Sequence, residues 1–443
     1  MSAERFTPSR IGTGMFSMRR PGSMGANESM FVFISYASIY FCLACLNVGR
    51  SIVCLIRVIF NTFVTCTVYL SGVTCLRKSY VSNLGRFRVS FKVVITMYNR
   101  SPSDLTLAVI QKAGIEVEYL PSVTENEVIK AAKEADVLLV GTVPHTTRNV
   151  LESLPKLKMV GRSGVGVDSI DLEAATELGI CATNTPGINT SEVADHAMAL
   201  LLSITRKISE QNSALKAGAW SDHPEEINAI RNQLRRIAGN TVGIFGLGSI
   251  GKGFATRVRG FGPEKIIAFD PYVPQTTADL VGVQLVDFDT LLTESDYLTV
   301  HSPATAETNH VFDIGAFRKM KPSAIFINCA RGPIVDEAGL QEALQTGEIV
   351  AAGIDVTEIE PLDAESPLLK LDNLTITPHV AGTSDISGIA GATRWGENAV
   401  NILTGKPLHG LGNPEVVKRI AVMRAQGPNR WDGVPDPVTE AWS

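Results

Sequence analysis

The chain has 443 residues, and 45% of them are hydrophobic, which is enough for two or three globular domains with buried cores. Its 40 basic and 45 acidic residues give a formal net charge of -5. Such a balance provides no electrostatic reason to bind a polyanion such as nucleic acid. The composition therefore favours a small-molecule site.

Residues 1–90 differ in composition from the rest of the chain, because they contain no Asp, no His and only two acidic side chains. Two apolar runs, residues 30–46 and 51–76, approach the length of a bilayer-spanning helix, so two membrane helices are one interpretation. Arg57 would be costly at mid-membrane. We expect an appended extension, disordered or membrane-like, whose membrane contact is limited to residues 30–76.

Five of the seven cysteines lie in that extension, which leaves Cys181 and Cys329 for the remainder. This usage predicts a reduced, cytoplasmic protein without a disulfide framework, and anchoring through the extension is the alternative. No cysteine has the paired spacing of a zinc site, so no metal is expected.

From Phe91 onward, short β-branched runs alternate with amphipathic stretches, which predicts an α/β fold with parallel sheets. Residues 92–96, 137–140 and 157–160 are predicted strands, and residues 124–135 form a predicted helix between the first two.

The clearest predicted helix covers residues 189–208. Asn189 can cap it, Glu192 lies three residues further on as in a capping box, and apolar residues fall on one face. We expect this helix to lead into a second domain, through a polar connector at residues 221–236.

An apolar strand at residues 241–245 runs directly into the sequence GLGSIG and then into a helical segment. In such a turn the first glycine permits the bend, the second admits a pyrophosphate, and the third lets the helix pack on the strand. The helix N-terminus offers free N–H groups to the phosphates. The expected phosphate-binding residues are Gly246, Gly248, Ser249, Ile250 and Gly251.

A second strand, residues 265–269, ends at Asp270, where a carboxylate can bind both ribose hydroxyls. The same carboxylate would repel a 2′-phosphate, and Pro271 and Tyr272 follow it instead of an arginine. The sequence therefore predicts NAD rather than NADP as the cofactor.

Three later apolar strands are each followed by charged or titratable side chains. These are Arg331 after residues 324–329, Glu358 and Glu360 after residues 351–356, and His379 after residues 374–377. Because strand carboxyl ends line the ligand crevice of an open α/β sheet, we expect these side chains to converge.

Residues 92 to about 415 resemble the D-isomer-specific 2-hydroxyacid dehydrogenase family, which includes phosphoglycerate dehydrogenase and C-terminal-binding-protein-like enzymes. Six segments carry the resemblance in family order: GRSGVGVDSIDL at 161–172, NTPGINTSEVADHA at 184–197, GLGSIG at 246–251, NCARGPIVDE at 328–337, GIDVTEIEP at 353–361 and TPHVAGTS at 377–384.

The resemblance implies a Rossmann nucleotide-binding domain inserted in a discontinuous, flavodoxin-like substrate domain, and a homodimer. The expected boundaries are residues 1–90 for the extension, 91–188 and 380–420 for the substrate (catalytic) domain, 189–379 for the NAD-binding domain and 421–443 for a C-terminal tail.

The family pattern also implies a catalytic set. Arg331 would hold the substrate carboxylate and polarise the carbonyl, a task suited to a planar fork of donors. His379 would exchange the hydroxyl proton while hydride passes between substrate C2 and the nicotinamide. Glu360, the carboxylate directly before a proline, would orient the imidazole and favour its protonated form.

Further roles carry over by resemblance alone. Asp355 and Ala330 would lie at the cofactor, with Asp355 at the carboxamide, and the backbone of Gly164, Val165 and Gly166 would meet the substrate carboxylate. His196, His301 and Asp336 match family motifs and are interpreted as structural or cofactor-neighbouring.

The resulting prediction is an NAD-dependent oxidoreductase for a small D-2-hydroxy acid or 2-keto acid. One alternative is an NAD(H)-sensing scaffold like the C-terminal-binding proteins, favoured by SEVADHA and the connector, but the tryptophan that branch places after its histidine is absent at residues 380–383. Another is D-3-phosphoglycerate dehydrogenase. Against it, residues 141–145 lack that subfamily's arginine-serine pair and lysine, and no regulatory domain is expected after Ile420.

Overall fold

The structure of the chain is a computed structural model that describes residues 30–36, 39–48, 51–60, 63–69, 91–98 and 101–435. It divides into two compact units, Met1–Arg88 and Val89–Ser443, which are described separately below.

The described part of the first unit is a four-stranded antiparallel sheet in the order β1-β2-β3-β4. Its strands are β1 (Met30–Tyr36), β2 (Ile39–Val48), β3 (Ser51–Phe60) and β4 (Phe63–Tyr69). The interpretation of the two apolar runs as helices is therefore wrong for these residues. Their β-branched and aromatic content favours strands.

Within the described ranges, no helix combines the length and the apolar character that crossing a membrane requires. The expectation of a disordered extension falls partly on residues 1–29 and 70–90, which lie outside the described residues.

The first sheet of the second unit is parallel, with strand order β6-β5-β7-β8-β9. Its strands are β5 (Lys92–Ile95), β6 (Glu116–Tyr119), β7 (Val137–Val140), β8 (Met159–Arg162) and β9 (Cys181–Thr183). The helices along it are α1 (Asp104–Lys112), α2 (Glu125–Ala132), α3 (Arg148–Glu152) and α4 (Leu172–Glu177). This 2-1-3-4-5 order is flavodoxin-like, as predicted.

The second sheet is also parallel, in the order β12-β11-β10-β13-β14-β15-β16. Its strands are β10 (Thr241–Phe245), β11 (Lys265–Phe269), β12 (Gln284–Leu285), β13 (Tyr297–Val300), β14 (Ile325–Asn328), β15 (Ala351–Ile354) and β16 (Leu374–Ile376). The order is 3-2-1-4-5-6 with a seventh strand added, which confirms the Rossmann prediction.

Nine helices accompany this sheet within the described residues. They are α5 (Thr190–Arg206), α6 (Ile208–Lys216), α7 (Ala219–Asp222), α8 (Pro224–Arg231), α9 (Ser249–Val258), α10 (Gln275–Leu280), α11 (Phe288–Glu294), α12 (Ile314–Lys319) and α13 (Glu337–Thr346). Single 3-10 turns occur at Arg259–Phe261, Gly332–Ile334 and Pro367–Lys370. The predicted polar connector thus contains helix α8 and the end of α7.

Two last helices, α14 (Asp385–Thr404) and α15 (Val416–Gln426), return the chain to the first sheet. The indole N–H of Trp395 on α14 donates to the Gly161 carbonyl at 2.9 Å. Beyond α15, Trp431 is fully buried and donates to the Gly179 carbonyl at 2.8 Å. Residues up to 435 therefore complete this sheet's core, although residues 421–443 were predicted to form a tail.

Helix α5 begins as predicted, but without the predicted capping box. Asn189 occupies the N-cap position and its side chain makes no capping bond. The Glu192 carboxylate instead accepts a hydrogen bond from the Ser384 hydroxyl at 2.7 Å. Glu192 therefore ties the start of α5 to the start of α14.

Candidate active site

The glycine-rich turn between β10 and α9 packs so closely against the protein that its first and last glycines have no room for a side chain. Gly246 has φ of 91°, and a Cβ there would lie 2.7 Å from the Ser302 nitrogen. A Cβ on Gly251 would overlap the Gly246 carbonyl oxygen, whereas Gly248 faces open space. The turn is tight on its protein side and open at its middle glycine, where a ligand can approach.

Helix α9 begins at Ser249 with no side-chain cap and no acidic residue in its first turn. Its first N–H groups are therefore available to an anion. The Asp270 carboxylate accepts the N–H of Leu247 at 2.8 Å and that of Tyr272 at 3.0 Å, which fixes it beside the turn. The N–H groups at the start of α9 can bind a pyrophosphate, and the fixed Asp270 carboxylate beside them can bind a ribose. Together they fit a dinucleotide.

Two buried polar atoms beside this turn also fit a bound cofactor. His301 Nδ1 and Ser302 Oγ follow strand β13 and have no hydrogen-bond partner. Burial lowers the pKa of His301 to about 3, so its imidazole is neutral. Because buried polar atoms are nearly always paired in complete sites, these two mark a place for a polar ligand group.

His379 and Glu360, expected to form a pair, lie in contact. His379 Nδ1 lies 2.6 Å from Glu360 Oε2, and the Thr357 N–H donates to the other carboxylate oxygen at 3.2 Å. His379 has φ of 52°, in the left-handed region, and its N–H donates to the Asp355 carbonyl at 2.7 Å. The adjacent parallel strands β15 and β16 bring the two side chains to one sheet edge.

The charge of Glu360 is stabilised by this contact. Partial burial would raise the pKa of Glu360, but the hydrogen bond and charge of His379, the Thr357 N–H and the Arg331 charge together lower it below the ordinary value. Glu360 therefore remains ionised at neutral pH and can accept a hydrogen bond from the imidazole.

Glu358, the other acid of this loop, points elsewhere. Its Oε1 accepts the Glu337 N–H at 2.7 Å, and its Oε2 lies 3.3 Å from His310 Nε2. Of the two candidate carboxylates, only Glu360 contacts His379.

Arg331 reaches across from the second sheet to the turn after β8. A Cβ on Gly166 would overlap its Nη2, and its Nε lies 3.4 Å from Asp168 Oδ1. Burial would raise the pKa of Asp168, but the charges of Arg331 and Arg162 and two hydrogen bonds lower it overall. The guanidinium thus lies directly against the predicted carboxylate-binding turn.

Arg162, which was not among the predicted site residues, is a second cation at this place. Its side chain is 7% exposed, its Nη2 donates to Thr142 Oγ1 at 3.0 Å, and its Nε has no partner. Within residues 101–435, no carboxylate lies within ion-pair distance of it. Burial, and then the nearby Arg331 charge, lower the pKa of Arg162, and Asp168 opposes this shift. Its sequence signals are that it ends an otherwise apolar strand and that it lies in the family segment GRSGVGVDSIDL at 161–172.

Asp355 is 1% exposed and organises the loop that carries His379. Its carboxylate accepts from Thr377 Oγ1 at 2.6 Å and from the N–H groups of Val380 at 3.0 Å and Ala381 at 2.8 Å. Three of about four acceptor positions on the carboxylate are thereby used, which leaves one for a ligand such as a carboxamide. His196 Nε2 extends this network to Thr377 Oγ1 at 2.9 Å.

One cavity of about 1190 Å³ joins most of these groups. The predicted site residues that line it are Gly164, Val165, Gly166, Ile250, Ala330, Arg331, Asp355 and His379, together with Arg162. Those outside its lining are Gly246, Gly248, Ser249, Gly251, Asp270 and Glu360. The cavity therefore unites the expected substrate and nicotinamide positions and reaches the glycine turn at Ile250, while the glycines of the turn and Asp270 lie outside its lining.

Comparison with known proteins assigns this arrangement to a family. Residues 198–381 match the profile described as "D-isomer specific 2-hydroxyacid dehydrogenase, NAD binding domain". The chain is also 38% identical over 285 residues to the hydroxypyruvate reductase of Thermotoga maritima, covering 63% of this chain and 89% of that protein. The chain belongs to the D-isomer-specific 2-hydroxyacid dehydrogenase family. The resemblance predicted from six motifs is thus confirmed.

Two further known proteins are similar to the chain over most of its length. D-3-phosphoglycerate dehydrogenase of Archaeoglobus fulgidus is 39% identical over 311 residues, which cover 70% of this chain and 58% of that protein. The chain thus spans little more than half the length of this relative. The crystal structure of the PH0520 protein from Pyrococcus horikoshii OT3 superposes with a TM-score of 0.67 at 28% identity, covering 75% of this chain and 98% of that one.

Proposed function

We propose that the chain is an NAD-dependent dehydrogenase that transfers hydride between the nicotinamide and a small D-2-hydroxy acid or its 2-keto acid. The observation that carries this proposal is the 2.6 Å contact between His379 Nδ1 and Glu360, beside a cavity that His379 shares with the Arg331 guanidinium. An acid/base, its orienting carboxylate and a carboxylate-binding fork are the groups that this reaction needs.

The proposed roles are those that the family resemblance implies, and the positions of the atoms support them. Arg331 and the backbone of residues 164–166 bind the substrate carboxylate, which directs C2 and its oxygen towards His379. Since Glu360 occupies Nδ1, the Nε2 atom of His379 takes the hydroxyl proton in oxidation and returns it in reduction. The turn of residues 246–251, Asp270 and Asp355 would hold NAD, which when bound supplies the carbon that accepts or gives the hydride.

The direct test is a panel of 2-keto acids with NADH, assayed on the full chain. We expect saturable NADH oxidation with at least one of them. NADH binding without turnover of any keto acid would contradict the proposal and favour a scaffold resembling the C-terminal-binding proteins.

D-3-phosphoglycerate dehydrogenase is the second candidate, and Arg162 supports it. The loop of residues 141–145 has no cation of its own, but the Arg162 guanidinium binds Thr142 of that loop. A buried guanidinium without a carboxylate partner favours a substrate that brings a second anionic group. The name of the Archaeoglobus fulgidus relative agrees with this candidate.

We predict that R162M selectively impairs substrates that have a second anionic group besides the carboxylate. For 3-phosphohydroxypyruvate, kcat/KM should fall by roughly 10- to 150-fold, the value of one hydrogen bond to a charged group, while pyruvate is little affected. Thermal stability should be unchanged or higher, because an unpaired buried charge is removed. R318M, which removes a surface arginine paired with Glu342, is the control. Equal losses for both substrates would exclude this role of Arg162.

We further predict that D270N weakens the preference for NADH over NADPH. The neutral side chain no longer repels a 2′-phosphate, and such like-charge contacts cost several kcal/mol, so the ratio of kcat/KM values should fall at least tenfold. Kinetics with both cofactors measure this ratio, with D279N on the exposed face of α10 as control. An unchanged ratio would show that Asp270 does not select the cofactor.

Assembly, location and domain boundaries complete the proposal. We propose a cytoplasmic homodimer with an NAD-binding domain at residues 189–379 and a substrate domain at residues 91–188 and from residue 380 onward, which includes the segment up to residue 435 that completes its core. Family resemblance supports the dimer, and the two buried free cysteines of the second unit suit a reducing compartment. Sedimentation equilibrium would test the oligomeric state.

A further inference from the structure

The loop that carries Glu360 lies directly against the segment that carries Arg331. A Cβ on Gly332, the residue after Arg331, would overlap the carbonyl group of Thr357. The two backbones therefore pass each other at a distance that only glycine allows. Any displacement of the Thr357–Glu360 loop changes where Glu360 lies relative to Arg331.

A reciprocal pair of hydrogen bonds lies beside this crossing. The Glu337 N–H donates to Glu358 Oε1 at 2.7 Å, and the Glu358 N–H donates to Glu337 Oε1 at 2.5 Å. Glu337 is the first residue of α13, so its N–H has no partner within the helix. We call this Glu337–Glu358 pair the clasp.

Electrostatics oppose this arrangement. Burial, and then the charges of Glu358 and Glu360, raise the pKa of Glu337, and only the Glu358 N–H lowers it. The three carboxylates repel one another, although Glu360 has His379 and the Arg331 charge nearby, and His310 Nε2 lies 3.3 Å from Glu358 Oε2. The repulsion would open the loop, so the two backbone hydrogen bonds hold the segments together against it.

We propose that Glu337 and Glu358 are positioning residues, whose clasp holds the loop so that Glu360 meets His379 beside Arg331. Neither side chain lines the cavity that the Arg331 and His379 side chains share. The clasp acts through Glu360, whose carboxylate lies two residues beyond Glu358. The expected effect on kcat rests on the proposed function. The expected effect on the contact between Glu360 and His379 rests on geometry alone.

The test compares E358A with E358Q. Alanine removes the acceptor for the Glu337 N–H, whereas the glutamine carbonyl oxygen keeps it. Because displacing a catalytic group by about 1 Å can cost on the order of 100-fold in rate, we expect E358A to lower kcat at least tenfold with little change in the KM for NADH. E358Q should restore most of kcat. E342A, on the exposed face of α13, is the matched control.

A proton NMR signal provides a readout that does not depend on turnover. The Nδ1 proton shared by His379 and Glu360 should give a downfield resonance in the wild type, in E358Q and in E342A, and E358A should shift or broaden it. E337A removes the other half of the clasp and should act like E358A, so it serves if E358A does not fold.

The proposed role of the clasp would be contradicted if E358A kept both the wild-type resonance and the wild-type kcat. It would also be contradicted if E358Q and E358A lowered kcat by the same factor. If no 2-keto acid is turned over by the wild type, the proposed function fails, and the resonance still decides on the clasp.

Discussion

The variant H379N is expected to lower kcat for reduction of a 2-keto acid by roughly 100- to 10,000-fold, the usual contribution of a positioned acid/base. Asparagine suits this position because it tolerates the left-handed backbone, φ of 52°, better than most residues. The bonds from this backbone N–H should therefore persist, and the loss should reflect the missing imidazole.

Steady-state NADH oxidation measures the effect, and quenching of NADH fluorescence measures cofactor affinity, which should be unchanged. H409N is the control, because His409 lies at the surface beside Glu397 and away from the cavity. Activity of H379N close to that of the wild type would remove His379 from the mechanism, whereas a loss of NADH affinity alone would assign it to cofactor binding.

The second large effect is expected for R331K. Lysine keeps the positive charge but not the planar fork, so one of the charged hydrogen bonds to the substrate carboxylate is lost. The cost of about 1.5–3 kcal/mol corresponds to roughly a 10- to 150-fold lower kcat/KM for the keto acid. The KM for NADH should be the same as in the wild type.

The matched control is R318K, an arginine-to-lysine change at a surface ion pair with Glu342. Two steady-state titrations separate the effects on substrate and cofactor. One varies the keto acid at saturating NADH, and the other varies NADH at a saturating concentration of the keto acid. A rise in the KM for NADH without any effect on the keto acid would contradict the assignment of Arg331 to the substrate.

Much of the second unit was predictable because its strands are buried on both faces. Residues 137–140, 241–245 and 265–269 were predicted with the bounds that the structure gives, since each is a short apolar run that ends at a glycine or a charge. The bounds of helices were less accurate. Helix α5 ends at Arg206 rather than Ile208, because Lys207 adopts a left-handed conformation.

The charged residues of the site show where sequence patterns stop being informative. Glu358 and Glu360 are two exposed-looking acids in one loop, and only family resemblance selected between them. The physical difference is that Glu358 is bound to the start of α13, a contact between residues 21 positions apart. Arg162 was missed for a related reason: nothing local shows that the end of strand β8 faces a second guanidinium.

The first unit shows the limits of apolar runs as a signal. Length and hydrophobicity alone admitted two helices, and the structure has four strands. Whether such a segment forms a helix or a strand depends on its pairing with another segment, such as Cys42 of β2 opposite Arg57 of β3. The sequence of one segment alone does not show this pairing.

The long-range closure of the first sheet has a consequence for synthesis on the ribosome. Trp431 donates a hydrogen bond to Gly179, which lies 252 positions earlier in the chain. Strands β5 to β9 leave the ribosome long before Trp431, so the core of their sheet cannot be completed until the segment from α14 to Trp431 has been made. The NAD-binding strands, β10 to β16, are all made before those helices. We therefore expect the middle of the chain to fold first, while the apolar faces of strands β5 to β9 remain open to chaperones until Trp431 has been made.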